Sequence, residues 1–318
     1  LSKQATSDDV FGDIIKDFPH EMYRLDDIPP VDFFDTGIYA FNRLLTGSYF
    51  RGLRSDKICA LCGFPNAGKS FLLANIVRGA QQCGYVSAIF DSERAVDETY
   101  YQRIGVDTGR VLRCQVTHYE ELRHKLVMVL SKLRQEDAKG KWGRPDLKIF
   151  VGLDSWGNLS SKKELGDAVS GSDAGDQGLL AKAGNSAFRV INAALSKYRA
   201  PLVFTNHMYN DMSDILNRPA MIGGYKVKHN PHIIIHVERK LVPKDSVIGR
   251  GDGMVMKMTS MKNRDVPEGQ STNVLLSFRD GILKYSGLLE DAEAHGFVQR
   301  AGAWYTFTNG RGETLAKV

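Results

Sequence analysis

The sequence predicts an α/β fold with a mixed, mainly parallel central sheet flanked by helices on both faces, and three observations point to it. From Lys57 onward, short apolar runs alternate with segments of helical period. Residues 63–70 read Gly-Phe-Pro-Asn-Ala-Gly-Lys-Ser and stand between one such run and one such helix. The later apolar runs fall too close together for helices to separate them, which places antiparallel strands on the far edge of the sheet.

Residues 1–33 carry an amphipathic stretch at 10–18 and then Pro29-Pro30, and read as an arm outside the core. The core is expected over residues 34–285, and residues 286–318 begin a C-terminal region. Apolar runs at 57–62, 86–90, 111–114, 149–153, 202–205, 233–237, 254–259 and 274–278 read as strands. Residues 71–77 and 120–135 read as helices; in the second, Leu122, Leu126, Val129, Leu130 and Leu133 share one face. Residues 159–178 and 208–230 lack a clear period and read as two long loops, a length that usually carries function. Both follow strands whose carboxyl ends should lie at one rim, where such sheets bind ligands.

The segment 63–70 matches Gly-x-x-x-x-Gly-Lys-Ser at every fixed position. A helix opening on this loop directs its free N–H groups and positive dipole end at an anion. Gly63, Pro65, Asn66, Ala67 and Gly68 form the loop, and Lys69, Ser70 and Phe71 open the helix. Lys69 reaches β- and γ-phosphates, and the Ser70 hydroxyl suits Mg²⁺. The chain is therefore expected to bind ATP or GTP.

Composition adds bounds. At 318 residues, 42% hydrophobic and 25% charged, the chain can bury one large core. The net charge of +5 is compatible with a polyanionic partner without establishing one. No apolar run reaches membrane-spanning length, no secretory signal opens the chain, and the first residue, Leu1, is read as a trimmed or processed start. Cys59-x-x-Cys62 lacks a second ligand pair and reads as two buried thiols; His232-x-x-x-His236 has metal-like spacing but lies in an Ile-rich strand with no third ligand. With Cys83 and Cys114 the chain has four cysteines and no disulfide pattern, which suits the cell interior.

Asp154 ends an apolar strand and is the natural partner of Ser70 around a metal ion. Hydrolysis also needs an acceptor for the attacking water. Asp91 and Glu93 both compete for that role, because alternation places them on one face of their strand and the later residue reaches farther. His207 ends another strand just before the second loop, where it could donate to a terminal phosphate or be merely structural. Tyr100 could stack on a base or pack at its helix start.

These residues resemble the RecA recombinases, most closely the UvsX-type recombinases of T-even-like phages. The resemblance rests on Asp91-Ser-Glu-Arg-Ala-Val-Asp97 with Tyr100 and Ile104-Gly-Val-Asp107, on Leu153-Asp-Ser-Trp-Gly-Asn-Leu159 with Ser-Ser-Lys-Lys-Glu164 after it, and on Thr205-Asn-His-Met-Tyr209. Ser286-Gly-Leu-Leu289 and Ala301-Gly-Ala-Trp-Tyr305 continue it, so that it covers roughly residues 35–310 in order. The resemblance implies a RecA-like core with an N-terminal arm and a short C-terminal extension. It implies ATP with Mg²⁺, Glu93 activating water, His207 sensing the γ-phosphate, and Asp97 and Tyr100 holding adenine. Lys262-Asn-Arg264 looks like a solvated turn by itself; the resemblance makes it a basic pair reaching the neighbouring protomer's phosphates. Single-stranded DNA would lie on the loops near 159–178 and 208–230, with Lys162, Lys163, Lys182, Tyr225, Lys226 and Lys228 for phosphates and Met208, Tyr209, Met212 or Met221 for bases.

The implied activity is DNA-stimulated ATP hydrolysis driving homologous pairing and strand exchange on a helical filament. Its partners would be single-stranded DNA, homologous duplex, further copies of the chain, and single-strand-binding and loader proteins. The setting would be the cytoplasm of a bacterial host. A ring-forming helicase or packaging motor on the same fold, and a nucleotide-binding mediator with little turnover, are the rival readings. Family members usually continue into a C-terminal lobe or acidic tail, whereas this sequence stops at Val318, and its first loop carries Asp167, Asp173 and Asp176 beside the lysines.

Overall fold

The computed structural model describes residues 7–17, 22, 24, 30–140, 147–171, 177–210, 219–223, 225–243, 246, 248, 249 and 251–318. The chain divides into two compact units, Leu1–Asp32 and Phe33–Val318. The first holds the amphipathic helix α1 (Ser7–Asp17), on which Phe11 and Ile14 are exposed.

The second unit begins with a short antiparallel ribbon of β1 (Phe33–Phe34) and β2 (Leu53–Arg54) around α2 (Tyr39–Thr46). Then come β3 (Ile58–Gly63), α3 (Lys69–Gln82), β4 (Val86–Asp91), α4 (Glu98–Ile104), β5 (Val111–Gln115), α5 (Tyr119–Ala138) and β6 (Ile149–Asp154). After these lie α6 (Lys162–Ser170), α7 (Gln177–Tyr198), β7 (Leu202–Asn210), β8 (Pro219–Met221), α8 (Tyr225–His229), β9 (Ile233–Lys240), β10 (Gly253–Asn263), β11 (Ser271–Ser277) and β12 (Gly281–Ile282). The chain closes on α9 (Leu288–Ala294) and a small antiparallel sheet of β13 (Val298–Ala301), β14 (Trp304–Thr308) and β15 (Thr314–Lys317).

The main sheet has the order β12-β11-β10-β9-β3-β7-β6-β4-β5, with β8 paired to β7. Strands β9, β3, β7, β6, β4 and β5 are parallel, while β10, β11 and β12 add antiparallel pairs at one edge, as expected from the crowded late runs. Every residue of β3 and β6 is buried, the mark of strands covered on both faces.

Alternation sorts the side chains into two cores. Cys59, Leu61, Ile89, Phe150 and Val203 pack with Leu72, Leu73 and Ile76 of α3. Ala60, Cys62, Ala88, Phe90 and Val151 pack on the other face with Leu122, Leu126 and Leu130 of α5 and Phe188 and Ile191 of α7. Burial pushes both the Cys59 and Cys62 thiols up, as expected of inert buried groups. His232 is held by the start of β3: its Nδ1 accepts the Ile58 N–H at 3.1 Å. Arg43 of α2 pairs with Asp291 of α9 at 3.0 Å, joining the C-terminal helix to the core. Among the described residues, no helix is long and apolar enough to cross a membrane.

Two expectations are corrected. Residues 162–170 are not loop but the helix α6, started by a capping box in which Ser161 and Glu164 satisfy each other's backbone N–H, and ended by left-handed Gly171. Its apolar Leu165 and Val169 stay exposed, so no buried stripe announced it. In the second segment, β7 runs on to Asn210 and β8 folds back on it, pairing Met208 with Met221. This pairing buries both methionines in the core under α7, so neither can wedge against a base; Met212 lies outside the described residues.

Met208→Ala should therefore cost about 2–4 kcal/mol of stability, the range for truncating a buried long side chain. A urea unfolding midpoint equal to that of the unsubstituted protein would place Met208 at the surface instead.

Candidate nucleotide site and nucleic-acid interface

Parallel strands bring their carboxyl ends to one rim, and there β3 turns into the loop that precedes α3. Gly68 is left-handed at φ 95° and caps α3 with no side-chain hydrogen bond, so the first-turn amides stay free for an anion. Glycine is needed there for space as well, since a Cβ would stand 2.5 Å from the Met256 sulfur. Asn66 is also left-handed, at φ 60°, a conformation asparagine tolerates. Lys69 folds back so that its Nζ donates to the Gly63 and Phe64 carbonyls at 3.1 and 2.9 Å. Burial holds its pKa below the usual value, against the opposing pull of Glu93 and Asp154.

Asp154 closes β6 opposite Asp91 of β4, and its buried carboxylate accepts the hydroxyls of Thr205 and Ser70. Burial raises its pKa despite those donors, and the charges of Glu93 and Asp91 add to the rise. A buried ammonium and a buried carboxylate, each displaced toward its neutral form, fit a site for a polyphosphate and a divalent cation. Ser70 and Asp154 are the residues placed to hold that cation. The peptide bond between Asp154 and Ser155 is cis.

Asp91 and Glu93 do not share a face. The strand ends at Asp91, and the chain bends through Ser92, so the alternation expected to carry both outward stops. Asp91 turns inward, its side chain inaccessible, and accepts the N–H groups of Glu93, Ala95 and Val96 at 3.2 Å each. Arg113 of β5 covers its other side at 2.6 and 2.9 Å. No lone pair is left for a water, and Asp91 is the post around which the turn is built. Glu93 instead points into the rim with its side chain 30% exposed.

The Glu93 Oε1 accepts from Ser155 Oγ at 2.5 Å and lies 2.8 Å from His207 Nε2. The His207 hydrogen bond, with Ser155 helping against burial, holds the Glu93 carboxyl far below its usual range, at about 2. His207 stands beside Gly63 in the β3–β7 register, so base candidate, sensor candidate and phosphate loop meet at one place. Ser155 and Thr205 were not singled out in the sequence. Ser155 follows Asp154 directly, but nothing in the sequence says that its hydroxyl crosses to Glu93.

Asp97 caps α4, accepting the Tyr100 N–H at 2.9 Å. Tyr100 packs edge-on against Phe71 with ring centres 6.3 Å apart, beside the first turn of α3. Lys262 and Arg264 lie elsewhere. Lys262 pairs with Ile234, which pairs with Ala60, whereas Met254 and Met256 of the same strand reach Gly68. The basic pair therefore stands at the end of the sheet away from its own phosphate loop. Burial, then the charge of Arg264, lowers the Lys262 pKa.

Lys162 and Lys163 are exposed in the first turn of α6, which is fastened to α5 by the Lys162 N–H donating to Glu120 at 3.0 Å. Lys182 is exposed on α7, one turn before Asn185, whose side chain accepts the Lys226 N–H at 2.9 Å and docks α8 on α7. Lys228 is exposed, Lys226 is half-buried, and Tyr209 is 44% exposed near the end of β7. Tyr225 opens α8; Asp173, Asp176 and residues 211–218 lie outside the described residues.

The sequence is also similar to known proteins. A family model of the RecA N-terminal domain matches residues 13–283. Protein RecA of Mannheimia haemolytica is 28% identical over 262 residues, 80% of this chain and 65% of that protein. The recombination and repair protein of Enterobacteria phage T4 is 29% identical over 273 residues, 85% of this chain and 66% of that protein. Protein RecA of Frankia casuarinae is 26% identical over 311 residues, 96% of this chain and 84% of its own length. The chain thus spans about two thirds of the length of the first two.

Asp91→Asn should destabilise the fold by about 1–3 kcal/mol, because it weakens a charge-assisted bond and leaves inward polar groups poorly matched. Denaturant unfolding measures this. Glu93 has a folded pKa below its unfolded value, so its stabilisation is complete above the unfolded pKa and is lost as pH falls toward about 2. Glu93→Gln should therefore lose less stability than the unsubstituted protein between pH 4.5 and pH 2.5, about where an unperturbed glutamate titrates. Parallel acid-stability curves would remove the His207–Glu93 pairing from the account.

Proposed function

Because the chain belongs to the RecA family, we propose that it is an ATP-dependent recombinase that assembles as helical filaments on single-stranded DNA and catalyses homologous pairing and strand exchange in the bacterial cytoplasm. The observation that carries this reading is the position of His207. Its ring lies against Glu93, the candidate base, and its backbone carbonyl accepts the Ile222 N–H at 3.0 Å at the root of the second loop. One residue thus touches both the hydrolytic site and a segment proposed to grip DNA.

When bound, ATP supplies the reactive γ-phosphate and Mg²⁺ neutralises charge on the phosphate oxygens. The free amides at the start of α3 and the Lys69 ammonium hold the phosphates, and Ser70 with Asp154 holds the metal. Glu93 takes a proton from the attacking water through the oxygen that Ser155 and His207 leave open. Tyr100 and Asp97 line the base side. Lys262 and Arg264, far from their own phosphate loop, serve the triphosphate of an adjacent copy and stabilise charge in its transition state. Lys162, Lys163, Lys182, Tyr225, Lys226 and Lys228 meet the DNA backbone, and Tyr209 stacks on a base.

The reading is tested by ATPase with and without single-stranded DNA, joined to electron microscopy. Turnover should rise with DNA, and continuous helical filaments should form with ATP; closed rings or absent stimulation would overturn the recombinase reading. Lys69→Ala should abolish nucleotide-dependent DNA binding, and Glu93→Gln should bind both ligands while hydrolysing about 10²-fold more slowly. Mixing Lys262→Ala protein with Glu93→Gln protein should restore part of the activity, since a site with its own Glu93 can then receive Lys262 from its neighbour. A mixture no more active than its parts would mean that Lys262 does not act in trans.

A further inference from the structure

We propose that Asn206 is a positioning residue that locks His207 and the root of the second loop, residues 219–223, into one unit. The proposal deepens the reading above and rests on it where DNA is concerned. Asn206 is fully buried in β7, level with Cys62. Its neighbours on that face, Phe204 and Met208, belong to the apolar core, so a lone amide in this row is costly unless both its ends are bonded.

Both ends are. Its Oδ1 accepts the His207 N–H at 3.0 Å, and its Nδ2 donates to the Ile222 carbonyl at 2.7 Å. The Ile222 N–H in turn donates to the His207 carbonyl at 3.0 Å. Asparagine is suited to this position because it carries an acceptor and a donor on one planar group; aspartate lacks the donor and alanine lacks both.

A second contact reaches the same root from the hydrolytic side. Trp156 follows Ser155, whose hydroxyl bonds to Glu93, and its fully buried indole faces Gly223. Gly223 is left-handed at φ 113°, and a Cβ there would stand 3.2 Å from the Trp156 Nε1. That Nε1 has no hydrogen-bond partner among the described residues, and the indole is held by packing against Tyr119, Phe188 and Phe204. Gly157 completes the junction: a Cβ on it would stand 2.8 Å from the Asn206 Oδ1. A movement of His207 is thereby carried to residues 222 and 223 through Asn206, and Trp156 reports the result.

The test uses a full chain with Trp142→Phe and Trp304→Phe, which leaves Trp156 as the single indole among the three tryptophans. A non-hydrolysable ATP analogue with Mg²⁺ should change Trp156 emission, and Asn206→Ala should remove that change. The same substitution should lower DNA stimulation of ATPase by about fivefold or more while DNA-free turnover and analogue affinity stay within about twofold. Asn206→Asp should also lose coupling at pH 8 and regain it relative to the unsubstituted protein as the pH falls toward about 6, because a protonated buried carboxyl can again donate to the Ile222 carbonyl. This variant carries the test if the alanine variant does not fold.

An emission response retained in Asn206→Ala overturns the proposal, as does an absent response in the unsubstituted background. An equal fall of DNA-free and DNA-stimulated turnover also overturns it, because that is what general damage to the fold does. If DNA stimulates nothing in the unsubstituted protein, the recombinase reading fails, and the emission change with nucleotide still decides the role of Asn206.

Discussion

A parallel strand that ends inside a protein leaves charge and backbone polarity to be settled at its carboxyl edge, and here two neighbouring strands, β4 and β6, bring three carboxyl groups to that edge. Asp91, Asp154 and the nearby Glu93 cannot all stay ionised at close range without compensation. The fold answers each differently. Asp91 is neutralised by Arg113 and three backbone amides, Asp154 accepts two hydroxyls and is left undercompensated, and Glu93 is drawn to His207 and Ser155. The distribution of roles follows from this division. The group with no free lone pair builds the turn, the buried and undercompensated group suits a cation, and the partly exposed one can reach water.

The same edge explains why the second loop is tied to the nucleotide side. Strand β7 carries Thr205, Asn206 and His207 in succession, and alternation sends Thr205 and His207 to one face and Asn206 to the other. Thr205 reaches Asp154, Asn206 reaches Ile222, and His207 reaches Glu93. Three consecutive residues therefore contact the metal ligand candidate, the loop root and the base candidate. Such a strand end has little freedom to move one contact without the others, because the interior around it is close-packed.

At the opposite end of the sheet, Lys262 and Arg264 are gathered near His232, whose own pKa is lowered by burial first and by Lys57, Arg264 and Lys262 after it. Acids balance part of this charge, since Arg54 pairs with Asp56 and Asp265, Lys57 pairs with Asp56, and Glu268 acts on Lys262.

The phosphate loop, the parallel strands, the antiparallel edge and the helix at 120–135 were legible in the sequence because each rests on local patterning: fixed glycine spacing, continuous apolar runs and a repeat of buried leucines. Helix α6 was read as loop, because it buries nothing and so left no apolar period; its capping box, Ser161 with Glu164, emerged only in the structure. What no local pattern determined was direction. Asp91 and Glu93 are two residues apart and chemically alike, yet Arg113, distant in sequence, claims one of them while Ser155 and His207 claim the other. Met208 looked like an exposed loop residue until the antiparallel return to Met221 buried it. Sequence determined which groups are present and which segments form strands and helices, since those depend on neighbours along the chain; only the tertiary structure decided which groups meet, because hydrogen bonds and burial are settled across strands.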